Sequence, residues 1–372
     1  MNTDTIPQTV VVTGSSGLIG SAVVRRLAGS YRVVGFDRAG PPYPPPQAEC
    51  VSVDLTSGES VRAGLDRVRH SAGERIASVV HLAAYYDFSG EPSPLYEEVT
   101  VRGTARLLRE LAPFQVEQFV FSSTMLVHAP CEPGQRIDED WPLDPTWDYP
   151  QSKVDTERTI RERRGAIPAV LLRIAGVYDD RCHSIPLAHQ IQRIHERWLT
   201  SHLYPGDLTR GQAFVHLDDL VDSIVRTIGQ CAPLALANPA MALLIGEPET
   251  LGYGELQQAL GQLIHQAHWP TFQIPKPVAK PGAWLQGLSA DARDALAHRV
   301  AGGERDGEAP DEPFIKPWMI DRADDHYALD IGRAHALLGW QPTHSLRETL
   351  PKMVATLKAD SLAWYRDNKL AA

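Results

Sequence analysis

The chain has 372 residues, 43% of them apolar, enough to bury a full core in one large domain or two, which excludes a disordered or low-complexity protein. Its net charge of −10 argues against nucleic acid or an anionic membrane as partner and leaves small molecules. Four scattered cysteines, at 50, 131, 182 and 231, suggest neither a disulfide framework nor a metal site, and residues 1–9 have no basic region before an apolar one, so a cytoplasmic protein with reduced thiols is expected.

Residues 10–20 read VVVTGSSGLIG, and an amphipathic segment follows over 18–27. Three β-branched residues run into Gly14, Gly17 and Gly20, which spells strand, tight turn and helix start. Glycine there lets a dinucleotide pyrophosphate approach bare backbone N–H groups at a helix N-terminus, with Ser16, Leu18 and Ile19 as further contacts of the same turn. Residues 31–37 form a second strand ending in Asp37, 23 positions beyond Gly14. A carboxylate at that tip accepts hydrogen bonds from the adenosine ribose and repels a 2′-phosphate, which favours NAD over NADP. Arg38 is the complication, because a guanidinium there can stack on adenine or hold that same phosphate.

Residues 49–55 give a third strand, ending at Asp54 and Leu55, and a polar helix follows over 58–69. A fourth strand over 77–84 ends in Leu82, Ala83 and Ala84, small enough at its tip to let the backbone pass close to a nicotinamide ribose. A long helix over 94–112 and a fifth strand over 117–123 come next. Such alternation predicts an α/β protein, a doubly wound parallel sheet of the Rossmann type with helices on both faces. Ligands then sit at the carboxyl ends of the strands, so Asp37, Asp54, Ala83 and Ser123 should line one crevice.

Reactive groups come from two places. Ser122-Ser123-Thr124 closes the fifth strand, and Tyr149-Pro-Gln-Ser-Lys153 opens a helix, where an i, i+4 spacing puts phenol and ammonium on one face. A cation beside a tyrosine favours the phenolate and makes it a usable acid/base. A second Y-x-x-x-K, Tyr365 to Lys369, follows every sheet element and is read as coincidence.

Together these segments resemble the extended short-chain dehydrogenase/reductase superfamily, its NAD-dependent epimerase/dehydratase family. The likeness continues through VLLRIAGVY at 170–178, FVHLDDL at 214–220 and ALLGWQP at 336–342. The resemblance implies that Tyr149 is the catalytic acid/base, Lys153 its partner and ribose contact, Thr124 the holder of the substrate hydroxyl, and Asp54 an adenine contact. Ser122 belongs to the implied cofactor set, and Ser123, His128, Gly176 and His216 to the substrate side. It also implies a homodimer through the 94–112 and 149–163 helices. Several positions depart from the family pattern. Met125-Leu126 replace the Asp-Glu pair of dehydratases, Gly176 replaces an asparagine of nucleotide-sugar enzymes, His128 a frequent tyrosine, and Thr100 a relay asparagine. Arg173 to Tyr178 is similar to the branch of hydroxysteroid dehydrogenases and dihydroflavonol-type reductases.

In the second half, residues 184–198 read as a helix, and His183, His189 and His195 recur every six residues, too far apart to converge as ligands on one helix face. Residues 214–219 should form a short strand with Asp218 capping the next helix. The tract 302–313 reads as loop, a flap over the substrate, with Trp284, Leu285, Phe314, Trp318 and Met319 as candidate pocket or core residues. The expected division is a cofactor domain over 1–175 and 212–246 and a substrate domain over 176–211 and 247–372. The first functional expectation is hydride exchange between NAD and a secondary alcohol or ketone on a small, fairly apolar molecule. The alternatives are an NAD-retaining epimerase acting on a sugar or nucleotide-sugar, and a non-catalytic NAD sensor.

Overall fold

The computed structural model describes residues 7–40, 42–87, 90–280 and 317–370. The expected flap, with Trp284, Leu285 and Phe314, lies outside the described residues. Seven strands form the central sheet: β1 (Thr9–Thr13), β2 (Arg32–Asp37), β3 (Glu49–Ser52), β4 (Ser78–His81), β5 (Phe119–Thr124), β6 (Ala169–Ile174) and β7 (Ala240–Ile245). Their spatial order is β3-β2-β1-β4-β5-β6-β7, with every neighbouring pair parallel. Helices cover both faces, so the strands are continuous apolar runs; all five residues of β1 are buried.

The order reverses between β1 and β4, the place where an open α/β sheet leaves a crevice for a ligand. Register delivers the site residues there. Thr13 lies opposite Phe36 on one side and His81 on the other, while Thr124 lies opposite Ile174.

One face is packed by α1 (Leu18–Leu27), through Val23, Val24 and Leu27, and by Leu220 and Ile224 of α6 (Leu217–Gly229). The other is packed by α2 (Gly58–Ala72), α3 (Arg102–Leu111) and α4 (Asp148–Arg163), through Leu65, Leu107, Leu111 and Ile160. Each fully buried aliphatic side chain of this kind contributes about 1.5–3 kcal/mol.

Two local expectations are corrected. The stretch 94–112 is not one regular helix: Tyr96–Val101 is a π-helical turn that runs into α3, and it buries Tyr96 and Thr100. The cap of α6 is His216, whose Nδ1 accepts the Asp218 N–H at 3.2 Å, because Asp218 already lies in the first turn. A third apolar cluster joins Tyr178 and α5 (Ile185–His195) to the helices Tyr253–His265 and Leu346–Ala359. The Gly332–Leu338 helix and Trp340, by contrast, pack on the α1/α6 face of the sheet.

Candidate functional site

The glycine turn has two structural glycines and one open one. Gly14 has φ +70°, and a Cβ there would lie 2.9 Å from the Ala83 nitrogen. A Cβ on Gly20 would lie 2.0 Å from the Gly14 oxygen. Gly17 differs, since its nearest neighbour would be the Gly14 oxygen at 3.4 Å, so its bare α-carbon leaves open space in front of the helix. The N–H groups of Leu18 and Ile19 begin α1 with no acceptor inside it, and the buried Ser16 hydroxyl has no partner. An anion approaching this turn meets donors that nothing else uses, which is the chemistry a pyrophosphate requires.

Asp37 is clamped beside the turn. Its Oδ2 accepts the Ser16 N–H and its Oδ1 the Arg38 N–H, both at 2.8 Å, leaving one lone pair on each oxygen for ribose hydroxyls. Arg38 is exposed. Asp54, also exposed, accepts the backbone and hydroxyl of Thr56, each at 2.8 Å, and these bonds hold its carboxyl below the usual range. Leu55 is buried against Gly103, and Leu82 and Ala84 are half-buried at the tip of β4.

A buried hydrogen-bond chain fixes these tips. The Thr104 hydroxyl donates to the Thr100 carbonyl at 2.6 Å, so it can only accept from His81 Nε2 at 2.8 Å. His81 Nδ1 is then the bare nitrogen and accepts the Thr13 hydroxyl at 2.7 Å, whose oxygen in turn accepts the Ala83 N–H at 3.1 Å. Burial, with the charge of Lys153 second, drives the His81 pKa down to about 3, so the ring stays neutral and this tautomer persists. Thr100, where the resemblance expects an asparagine, receives the Tyr85 N–H at 3.0 Å.

Tyr149, Thr124 and Lys153 meet on the far side of β4. The Tyr149 phenol lies close to Thr124 and is ringed by aromatics: Tyr86 at 5.0 Å, Trp147 at 5.4 Å and Tyr96 at 6.5 Å between centroids. Burial pushes the phenol up to about 12; Thr124 works the other way and Tyr96 adds to the rise. Lys153 is 3% exposed and donates to the Ser122 carbonyl at 2.7 Å. Its Nζ lies 5.7 Å from the Tyr149 ring centroid, and burial lowers its pKa to about 7 despite the nearby Glu157. The ammonium thus anchors the end of β5 and is not what governs the phenol in the unliganded protein.

Ser123 and His128, assigned to the substrate side by sequence, turn inward. The Ser123 hydroxyl donates to Glu157 at 2.7 Å, and Glu157 holds Arg173 through two bonds of 3.0 and 2.8 Å. Arg173 also reaches His128 Nε2 at 3.1 Å, while His128 Nδ1 donates to the Trp141 carbonyl at 3.0 Å. Burial, followed by the Arg173 charge, lowers the His128 pKa to about 4. Gly176 and His216 face each other's strands in a short parallel pair, Gly176–Tyr178 with Phe214–His216. His216 stacks on His344 with centroids 4.0 Å apart and planes at 16°, beside Asp218. Near-parallel rings cannot both aim an in-plane lone pair at one ion, so this cluster is not a preformed metal site. Of the other histidines, His183 pairs with Asp179 at 2.6 Å and His195 with the Tyr365 hydroxyl at 2.7 Å. That last bond takes up the phenol of the second Y-x-x-x-K.

Next to Tyr149 opens a cavity of about 280 Å³. Its lining includes Leu126, Thr146 and Trp147, Gln190 and Arg193 of α5, and Tyr204, Tyr253, Trp318 and Tyr327. Trp147 and Trp318 pack against each other in its wall, ring centroids 5.0 Å apart. Neither Gly176 nor His216 lines it.

A model of the NAD dependent epimerase/dehydratase family matches residues 10–234 of this chain. The chain belongs to that family. It is 24% identical over 360 residues to a UDP-glucose 4-epimerase of Vibrio cholerae, covering 92% of this chain and 93% of that one. A UDP-glucose 4-epimerase of Mycolicibacterium smegmatis is 26% identical over 370 residues, covering 92% and 96%. The fold is that of the Thermus thermophilus UDP-glucose 4-epimerase solved with NAD, with a TM-score of 0.66 at 22% identity, over 95% of this chain and 100% of that one. NAD is the cofactor of this epimerase/dehydratase protein, and the glycine turn, Ser16 and Asp37 are its fitting donors and acceptors.

Several residues of the site were invisible in sequence. Trp147 and Tyr86 sit in irregular segments whose direction no periodicity fixes, and Tyr96 enters only because of the π-turn. Gln190 and Arg193 lie three apart in a segment read only as a one-faced helix. Trp318 and Met319 were named as either pocket or core, and both line the cavity.

Proposed function

We propose that this family member is an NAD-retaining epimerase, which oxidises and re-reduces one secondary carbinol of a sugar-type substrate held in the cavity beside Tyr149. The closeness of Tyr149 and Thr124 to each other and to the Leu126 and Trp147 wall of that cavity carries the reading; the likeness of the chain to UDP-glucose 4-epimerases across nearly its whole length favours epimerisation over simple reduction. Bound NAD supplies the hydride carrier and, when oxidised, a positive charge near the phenol. Thr124 orients the substrate oxygen. Tyr149 takes the carbinol proton in one direction and returns it in the other. Lys153 holds the end of β5 in register for both. Water elimination has no support, because Met125 is buried and Leu126, which faces the cavity, has no proton to give.

The test is to incubate purified protein with a panel of UDP-hexoses and follow the C4 stereochemistry by NMR. Interconversion with no net change in reduced nicotinamide supports an epimerase. Stoichiometric NADH from an alcohol would instead support the second reading, a dehydrogenase of less polar alcohols, which the aromatic cavity wall favours. A homodimer through α3 and α4 is part of the proposal; a monomeric mass by light scattering would remove it.

A further inference from the structure

Three arginines line the cavity, and two of them are already committed. Arg210 is paired with Glu132 at 2.6 Å, and Arg322 donates to the Thr146 carbonyl at 2.8 Å and lies 3.7 Å from Asp325. Arg193 has no such partner: among the described residues it makes no ion pair, and its Nε is buried without an acceptor. It is 8% exposed. One turn earlier on the same helix, Gln190 is 7% exposed and its Nε2 is likewise without an acceptor. The i, i+3 spacing puts both on one side of α5, and both line the cavity.

A buried guanidinium with no ion pair among the described residues is costly to the folded protein. The cost is relieved if a substrate brings the missing charge. Nε, an Nη and the amide Nε2 are all donors, and a planar fork of that kind matches a compact oxyanion rather than a hydroxyl. We infer that Arg193 and Gln190 form an anion subsite, and that the substrate of the proposed reaction carries a carboxylate or phosphate group seated on them. The inference rests on the reading that this cavity takes the substrate. The anion docks on α5 while the carbinol is presented to Tyr149 at the Leu126 and Trp147 wall, which fixes the substrate at both ends.

The test is calorimetric titration of the NAD-loaded protein with three probes: glucuronate for a carboxylate, inorganic phosphate for a phosphate, and UDP for a diphosphate. Wild type is expected to bind at least one, and the preferred probe identifies the source of the anion. Arg193→Met should weaken that probe by about tenfold or more, with Arg193→Lys in between. NAD binding should not change, and the unliganded Arg193→Met protein should melt no lower than wild type, since an unpaired buried charge is removed. Gln190→Leu should weaken the same probe less. Failure of every probe to bind, equal binding by Arg193→Met, or a lowered melting temperature with lost NAD binding would each overturn the subsite. Because binding is read without turnover, a protein that binds an anion through Arg193 but never epimerises anything defeats the functional reading and leaves this one standing.

Discussion

Replacing Lys153 with methionine should stabilise the cofactor-free protein at low pH and progressively less as the pH rises. The unfolded chain keeps the lysine proton until a pKa of about 10.4, whereas burial lowers the native value to about 7. Between those values the unfolded state binds more protons than the native one, so native stability rises with pH. From pH 6 to pH 9 the gain in wild type is about 3 kcal/mol, close to two pKa units at about 1.4 kcal/mol each. Methionine cannot titrate and lacks this gain. It also leaves the Ser122 carbonyl without its 2.7 Å partner, but that loss, about 1–3 kcal/mol, is the same at both pH values and cancels in the comparison. Urea unfolding of wild type and Lys153→Met at pH 6 and pH 9 reads the difference directly. The gap between them should move by about 3 kcal/mol in favour of wild type at the higher pH. A pH-independent gap would refute the claim that Lys153 is a cation held at a cost in the folded site.

With the Tyr149 phenol raised to about 12 in the unliganded protein, alcohol oxidation should rise with pH and carbonyl reduction fall, since the first needs the phenolate and the second the phenol; parallel pH–rate profiles in the two directions would contradict this. Gly17→Ala should fold with a near-native melting temperature yet bind NAD at least tenfold more weakly, whereas Gly20→Ala, whose Cβ would lie 2.0 Å from the Gly14 oxygen, should lose both stability and NAD binding. Calorimetry with NAD beside thermal melting separates the two. Glu157→Ala should cost about 3–5 kcal/mol in chemical denaturation, because it strands the buried Arg173 charge, while Glu157→Gln should cost less.

What the sequence made legible was whatever depends on neighbours along the chain. The glycine turn, Asp37 at a strand tip and the i, i+4 pair of Tyr149 and Lys153 each declare themselves within a dozen residues, and alternating strands and helices dictate that their tips share an edge. Ser123 and His128 fall on the substrate side only by resemblance to the family pattern. Their direction is decided by Arg173, 45 positions from His128, and by Glu157, 34 positions from Ser123, and no local pattern carries that. The α6 cap shows the same limit on a smaller scale: aspartate is the commoner cap, but the helix begins two residues early and the imidazole fills the role. That Arg193 makes no ion pair among the described residues emerges only once the acidic side chains around it there have positions.

The central claim is that the Tyr149 phenol moves the proton while enzyme-bound NAD changes its redox state and is kept. Stopped-flow recording of reduced-nicotinamide absorbance, on NAD-loaded wild type and Tyr149→Phe mixed with a substrate that wild type epimerises, tests it most directly. The account predicts a transient absorbance that returns to baseline in wild type, and no transient in Tyr149→Phe despite unchanged NAD content. An equal transient in Tyr149→Phe, or epimerisation by wild type with none, would contradict it.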